Sequence, residues 1–431
     1  MSAAIDDNMP SALSRRFSRA GQLANREEPV ISRLMKDALE TEGLISLAAG
    51  FTDNSLLPAS EVLAAASKLA AEQPDHNWLQ YGTTLGRPGL RTEALKHLRG
   101  FPGEDSLDID ARNCLISNGS QQSLYLSIQL LCNPGDRVLV EAPSYFVFLE
   151  LLRGLGVEAV PIPTLDNGCW DLQTLSKQLE SWERNGEIER LKLIYFMGVY
   201  SNPSARCVPE TDKIALAGLL RGLSQPLPVI EDMAYRELYF ETPWPARSCL
   251  ALEEWDGLPV LYAGTFTKPL ATGLKIGFAV SHNSEWIQAL ARIKGHQDFG
   301  SANFCQALIE MLLRDGFYQR HLEQIRPTYQ NKAQAMLEAL DQNGLSKHGW
   351  TWQEPEGGLL LWLEGPDKTD TRIGSTLWQH CLREKVLYVP GDLCFAGPKP
   401  PTHTMRLSFG AIPSSDIPEG IRRLSAALKA S

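Results

Sequence analysis

From about residue 112 the chain alternates short apolar runs with amphipathic stretches, and this alternation limits its fold more than any other feature. "NCLIS", "RVLVE", "VEAVPIP", "LKLIYFM", "LPVIED", "PVLYAG" and "KIGFAVS" read as strands. "SQQSLYLSIQLLC", "SYFVFLELLRGLG", "DLQTLSKQLESW" and "TDKIALAGLLRGL" read as the helices between them. Apolar runs of strand length, separated by helices, build βα units around a mostly parallel sheet buried on both faces. After about residue 285 the order changes. The helices "EWIQALARIKGH" and "CQALIEMLLRDGFYQRHLEQI" come first, and the strands "GGLLLWLE" and "TMRLSFGAI" flank the helix "GSTLWQHCLREK". A last helix, "IPEGIRRLSAALKA", completes what reads as a smaller α+β unit.

The chain has 431 residues, enough for a large core and two domains. Its formal charge of −10 argues against nucleic acid or an anionic membrane as partner. No secretory signal opens the sequence, and "LYLSIQLLC" is too short and polar to span a bilayer, so a cytoplasmic location is expected. The eight cysteines show no C-x-x-C spacing and no zinc-finger arrangement, so reduced thiols and no metal are expected.

In open α/β sheets, ligands bind beyond the carboxyl ends of the strands. After "CLIS" stands Asn118-Gly119-Ser120-Gln121, opening a helix. Its unpaired N–H groups and the Ser120 hydroxyl suit a phosphate, while a plain serine cap is the alternative. After "LPVIE" comes Asp232, then Tyr235; a carboxylate there needs a partner, for binding or for structure alone. The loop "MGVYSNPSARCVP" carries Asn202, which Asn-Pro turn chemistry also explains. After "PVLYAG" comes Thr265-Phe266-Thr267-Lys268. A lysine stem can snorkel to the surface. In an apolar setting the same amine loses its charge and becomes a nucleophile able to form a Schiff base. The two threonines and Lys275 are placed to hold an anion beside it.

Seven motifs in order carry a resemblance: "YGTTLGRPGLR", "SNGSQQSL", "EAPSYF", "YSNPSA", "IEDMAY", "GTFTKPLATGLKIGF" and "MRLSFG". From about residue 13 onward the chain resembles the fold type I pyridoxal-phosphate enzymes of the class I/II aminotransferase family, nearest the kynurenine/2-aminoadipate aminotransferase type. The resemblance implies an α/β fold with a seven-stranded, mostly parallel sheet sandwiched by helices. It implies an N-terminal arm over residues 1–50 that belongs partly to the small domain, a large domain over 51–300 and a small domain over 301–431.

It further implies that Lys268 holds pyridoxal phosphate covalently and Asp232 pairs with the ring nitrogen, which makes the ring an electron sink. Tyr235 and Asn202 would bond the phenolic oxygen, and Tyr145 would stack on the ring. Ser120, the backbone at Gln121, Thr265, Thr267 and Lys275 would surround the phosphate. Tyr81 would reach the partner subunit's phosphate, so a homodimer is implied. Arg406 would grip the substrate carboxylate, with Asn202 and Gly50 beside it. Freed Lys268 would act as general base, and an amino group would pass from an L-amino acid to a 2-oxo acid by ping-pong transfer. The alternatives are another reaction on the same cofactor (elimination, replacement, decarboxylation or cyclisation) and, more remotely, a ligand-sensing domain. Arg15, Arg16 and Arg19 could supply charge for an acidic side chain, although solvated surface arginines are the favoured reading. Three positions depart from the family pattern: Ala205 where glycine is usual, Gly198 where proline is common, and Lys275 where arginine is usual.

Overall fold

The computed structural model describes Leu13, residues 16–18, Gly21, Gln22 and residues 41–431. Arg15 and Arg19 lie outside the described residues, and Arg16 is exposed.

Seven strands form the central sheet: β2 (Cys114–Asn118), β3 (Arg137–Val140), β4 (Glu158–Pro161), β5 (Leu191–Met197), β6 (Val229–Asp232), β7 (Val260–Thr265) and β8 (Ile276–Val280), with β1 (Ile45–Ser46) outside it. Their order is β2-β8-β7-β6-β5-β3-β4. Only β8 runs antiparallel to its neighbours, which makes the sheet mostly parallel as the apolar runs predict. Residues of β5, β6, β7 and β8 are almost all buried, and this is why they read as continuous apolar runs rather than alternating ones. The connecting helices are α3 (Gly119–Leu131), α4 (Phe146–Gly154), α5 (Leu172–Asn185) and α6 (Glu210–Arg221). Two earlier helices, α1 (Ala59–Glu72) and α2 (Pro88–Arg99), are not evident in the sequence reading.

Beyond α7 (Ser284–Gln297), the expected helix from Cys305 to Ile325 is two helices, α8 (Asn303–Arg314) and α9 (Phe317–Gln342). Gly316 separates them in a left-handed conformation (φ 68°) that ends one helix and starts the next. Pro327 lies inside α9 and does not end it. Residues on both sides of it, among them Ile325, Tyr329, Ala333 and Met336, are buried, and their packing outweighs the lost backbone hydrogen bond.

A second sheet has the order β12-β13-β10-β9, from β9 (Thr351–Trp352), β10 (Leu360–Glu364), β12 (Val389–Pro390) and β13 (Thr404–Ser408). β11 (Val386–Leu387) pairs in parallel with β1, which ties the segment before residue 50 to the C-terminal third. Two more helices, α10 (Thr376–Arg383) and α11 (Ile417–Lys429), pack on each other, and α11 packs on α9. Among the described residues no helix is long and apolar enough to cross a membrane. All eight cysteines are free thiols.

Candidate active site

The carboxyl ends of β2, β5, β6 and β7 converge on a cavity of about 330 Å³. Ser120, Gln121, Tyr145, Asn202, Asp232, Tyr235, Thr265, Thr267, Lys268 and Lys275 all line it. Residues spread over 156 positions of sequence meet there because parallel strands deliver their carboxyl ends to one edge of the sheet.

At one end stands the N-terminus of α3. Its cap residue is Asn118, which makes no side-chain capping bond, and Ser120 stands at the second helical position rather than at the cap. The first N–H groups and the positive dipole end therefore remain available to an anion. Gly277 in β8 makes the close approach possible. A Cβ there would stand 2.5 Å from the Gly119 carbonyl carbon and 2.7 Å from the Ser120 nitrogen. Thr265 Oγ1 donates to the Ile276 carbonyl (3.3 Å) and accepts from the Thr267 N–H (3.1 Å), so it also shapes the loop that presents Lys268. Lys275, exposed and with φ 56°, also lines the cavity.

Lys268 is partly buried, and its Nζ donates to the Gly50 carbonyl. Desolvation, with smaller contributions from the Arg406 and Lys275 charges, lowers its pKa to about 8. A lysine so placed carries an appreciable neutral fraction at neutral pH, which is the nucleophilic form.

Asp232, at the end of β6, is 2% exposed. Burial raises its pKa to about 6, opposed by the Ala234 N–H (3.1 Å) and the Tyr195 hydroxyl (3.1 Å), both donating to the carboxylate. A cation placed against this carboxylate would hold it ionised. Tyr235 is 3% exposed, and burial pushes its hydroxyl up to about 12 against a hydrogen bond with Asn202.

Arg406, on β13 and 2% exposed, does not line the cavity itself but bonds to Asn202, which does. Its Nη1 donates to Asn202 Oδ1 (2.9 Å) and its Nη2 to the Ala48 carbonyl (2.5 Å). Its Nε is buried and bonds to nothing in the described protein. Gly50 lies between the two cations. Its carbonyl takes the Lys268 amine, and a Cβ on it would stand 3.9 Å from Arg406 Nη2. Tyr81 does not join this group; it is 81% exposed and sits edge-on to Phe299, itself 70% exposed.

The departures from the family pattern have local explanations. Gly198 adjoins the carboxyl end of β6, where a Cβ would fall 2.7 Å from Met233 Sδ and 2.8 Å from Glu231 Oε1. Glu231 forms an ion pair with Lys213 (2.7 Å), both fully buried. Ala205 has φ 57°, the left-handed conformation that glycine adopts freely, so the loop keeps a glycine-type backbone.

Several residues at the site escape the sequence reading. Phe51 lines the cavity beside Gly50. The Ala48 contribution is a backbone carbonyl and leaves no side-chain signal. Tyr195 is hidden in the apolar run "LIYFM", although its register one strand from Asp232 follows once β5 and β6 are paired. Glu141 ends "RVLVE" as Asp232 ends "LPVIED", so the same rule about acids at strand ends finds it.

The family model "Aminotransferase class I and II" matches residues 42–424. The chain belongs to that family. It is therefore a pyridoxal-phosphate-dependent transferase, and pyridoxal phosphate is its cofactor. The 2-aminoadipate transaminase of Thermus thermophilus is 34% identical over 95% of this chain and 96% of its own length. The mitochondrial kynurenine/alpha-aminoadipate aminotransferase of Mus musculus is 27% identical over 96% of this chain and 99% of its own. The crystal structure of the Thermus thermophilus alpha-aminoadipate aminotransferase, complexed with N-(5'-phosphopyridoxyl)-L-leucine, superposes with a TM-score of 0.81 at 31% identity, covering 97% of this chain and 99% of that one. The Pyrococcus horikoshii kynurenine aminotransferase gives 0.85 at 29% identity, over 97% and 98%.

Proposed function

We propose that this aminotransferase moves amino groups between L-amino acids and 2-oxo acids with Lys268, Asp232 and Arg406 as its three charged working groups. The observation that carries the reading is their convergence: an amine of lowered proton affinity shares one cavity with a buried carboxylate and an uncapped helix N-terminus, and a buried guanidinium bonds to Asn202 in the cavity wall.

The residues fit the cofactor at each end. The N-terminus of α3, Ser120, Gln121, Thr267 and Lys275 suit its phosphate, with Thr265 bracing the loop. Tyr145 suits the ring face, and Asn202 with Tyr235 the phenolic oxygen. Asp232 would pair with the ring nitrogen and favour its protonated form, and that positive charge would in turn hold the buried carboxylate ionised. Bound pyridoxal phosphate supplies an electron sink for the bond broken at the amino-acid Cα. Lys268 would anchor the cofactor through its amine, and once freed by the substrate its Nζ would serve as the base that holds and moves the Cα proton. Arg406 fixes the substrate carboxylate, so that Cα faces Nζ and not solvent. The second half-reaction runs the same steps in reverse with a 2-oxo acid.

The active unit is a homodimer in which Tyr81 reaches the partner's phosphate site. Its exposure beside Phe299 supports this, since such an aromatic pair at the surface suits an interface. The chain divides near residues 50 and 300 into a large cofactor-binding domain and a small domain that includes the β1 segment, as the β1–β11 pairing supports. The amino donors belong to the range named for the relatives, 2-aminoadipate, kynurenine and aromatic amino acids, with Phe51 and Tyr145 offering apolar surface near the carboxylate grip. A half-reaction screen tests this: cofactor-loaded protein is mixed with single amino acids and the cofactor spectrum followed. Conversion to the aminated cofactor with at least one of these donors is expected. A spectrum unchanged by every amino acid would overturn the reading.

A further inference from the structure

We propose that Glu141 is a positioning residue for the amino-acid end of the site, the clamp that holds the Asn202 loop in the conformation Arg406 requires. The inference rests on the reading of Asn202 and Arg406 as the carboxylate grip.

Glu141 follows the last residue of β3 and is 7% exposed. Its Oε1 accepts two hydrogen bonds, from the Met197 N–H (3.0 Å) and the Ser201 hydroxyl (2.9 Å). Both of these residues hold Asn202. Met197 Sδ accepts the Asn202 N–H (3.2 Å), and Ser201 is its chain neighbour. Asn202 Oδ1 in turn accepts from Arg406 Nη1. One carboxyl oxygen thus fastens the two points from which Asn202 is set.

The loop needs such a clamp. Tyr200 (φ 48°) and Ala205 (φ 57°) are both non-glycine residues in the left-handed region. Each costs free energy that surrounding contacts must offset. Other restraints on the loop include Ser201 N–H to the Arg206 carbonyl (2.8 Å), Gly198 N–H to the Asp232 carbonyl (3.0 Å), Tyr200 N–H to Cys207 Sγ (3.3 Å) and the Arg206 guanidinium to Cys169 Sγ (3.6 Å), but none of these fixes both Met197 and Ser201. Burial, chiefly, and the neighbouring Asp232 push the Glu141 carboxyl up to about 8, so at neutral pH it is largely the uncharged acid. An uncharged side chain with a carbonyl oxygen in the same place therefore does the same work, which makes glutamine the informative replacement.

Two readouts test the clamp. Hydrogen–deuterium exchange on cofactor-free protein should show residues 197–206 exchanging about tenfold faster in Glu141→Ala and near the wild-type rate in Glu141→Gln. In the half-reaction of loaded enzyme with an amino acid, Glu141→Ala should raise the apparent binding constant about tenfold. Its maximal rate should stay within about threefold of wild type, with cofactor content retained. Glu141→Gln should recover binding to within about twofold, and Ser201→Ala, which spares the buried acid, should weaken it about threefold. Unchanged loop exchange and unchanged binding in Glu141→Ala would overturn the proposal. So would a Glu141→Gln variant as impaired as the alanine one, or loss of cofactor in step with loss of rate. Wild-type enzyme inert to every amino acid would overturn the functional reading itself, and this proposal with it.

Discussion

Replacing Arg406 tests the substrate end of the site. Two of its five N–H donors are committed, one to Asn202 and one to the Ala48 carbonyl, while the buried Nε has no partner in the described protein. An incoming carboxylate therefore meets a guanidinium already desolvated and held rigid, and little ordering cost remains to be met on binding. Truncating one member of such a buried, hydrogen-bonded charge pair costs ~2–5 kcal/mol. Arg406→Ala should accordingly lower kcat/KM by roughly 30- to 4,000-fold, at 1.4 kcal/mol per tenfold. The loss should fall mainly on KM, because the carboxylate is gripped in ground and transition states alike. The variant also leaves Asn202 Oδ1 and the Ala48 carbonyl without their donor, at ~1–3 kcal/mol of stability each. Arg406→Lys, which keeps a cation but loses the planar fork, separates the two effects and should fall between alanine and wild type. Rapid mixing of loaded enzyme with a donor amino acid gives the binding constant and maximal rate, and cofactor absorbance before mixing gives retention. An unchanged binding constant in Arg406→Ala with cofactor retained would refute the assignment.

Tyr195→Phe removes a donor to Asp232 without removing the ring, which packs against Phe148 with centroids 4.0 Å apart and planes tilted by 33°. Weaker cofactor binding by about 1 kcal/mol, roughly fivefold in Kd by spectral titration of the apoprotein, is expected. The lowered Lys268 pKa predicts a pH dependence for cofactor capture. The reactive form is the neutral amine, so the capture rate should climb as pH rises towards about 8 and level off above it. A rate still climbing about tenfold per unit above pH 9 would show an unperturbed lysine.

The strands of the central sheet were legible because burial on both faces writes them as unbroken apolar runs, and their carboxyl ends pointed to Asp232, Asn202 and Lys268. Lys268 drew attention through its apolar, threonine-flanked setting, a chemical cue independent of any fold. Helix α1 was not legible, because its two buried positions, Ala65 and Leu69, leave a weak stripe; α2 carries a regular stripe, Leu90, Ala94, Leu95 and Leu98, behind Pro88, and was legible in principle. The break at Gly316 and the continuation through Pro327 depend on packing that only the folded chain supplies. Arg406 came from the "MRLSFG" resemblance, since nothing in its own spacing marks it. Its partners Ala48 and Asn202 lie 358 and 204 residues away, and no local pattern encodes that meeting.

The central claim is that Lys268 carries the cofactor. Reducing the loaded protein with borohydride fixes the cofactor to whichever lysine holds it, and peptide mass spectrometry then locates the pyridoxyl group. The account predicts a single modified site at Lys268 in "GTFTKPLATGLKIGF", and no covalent adduct in Lys268→Ala. A pyridoxyl group on Lys275 or any other lysine of the wild-type protein would contradict it.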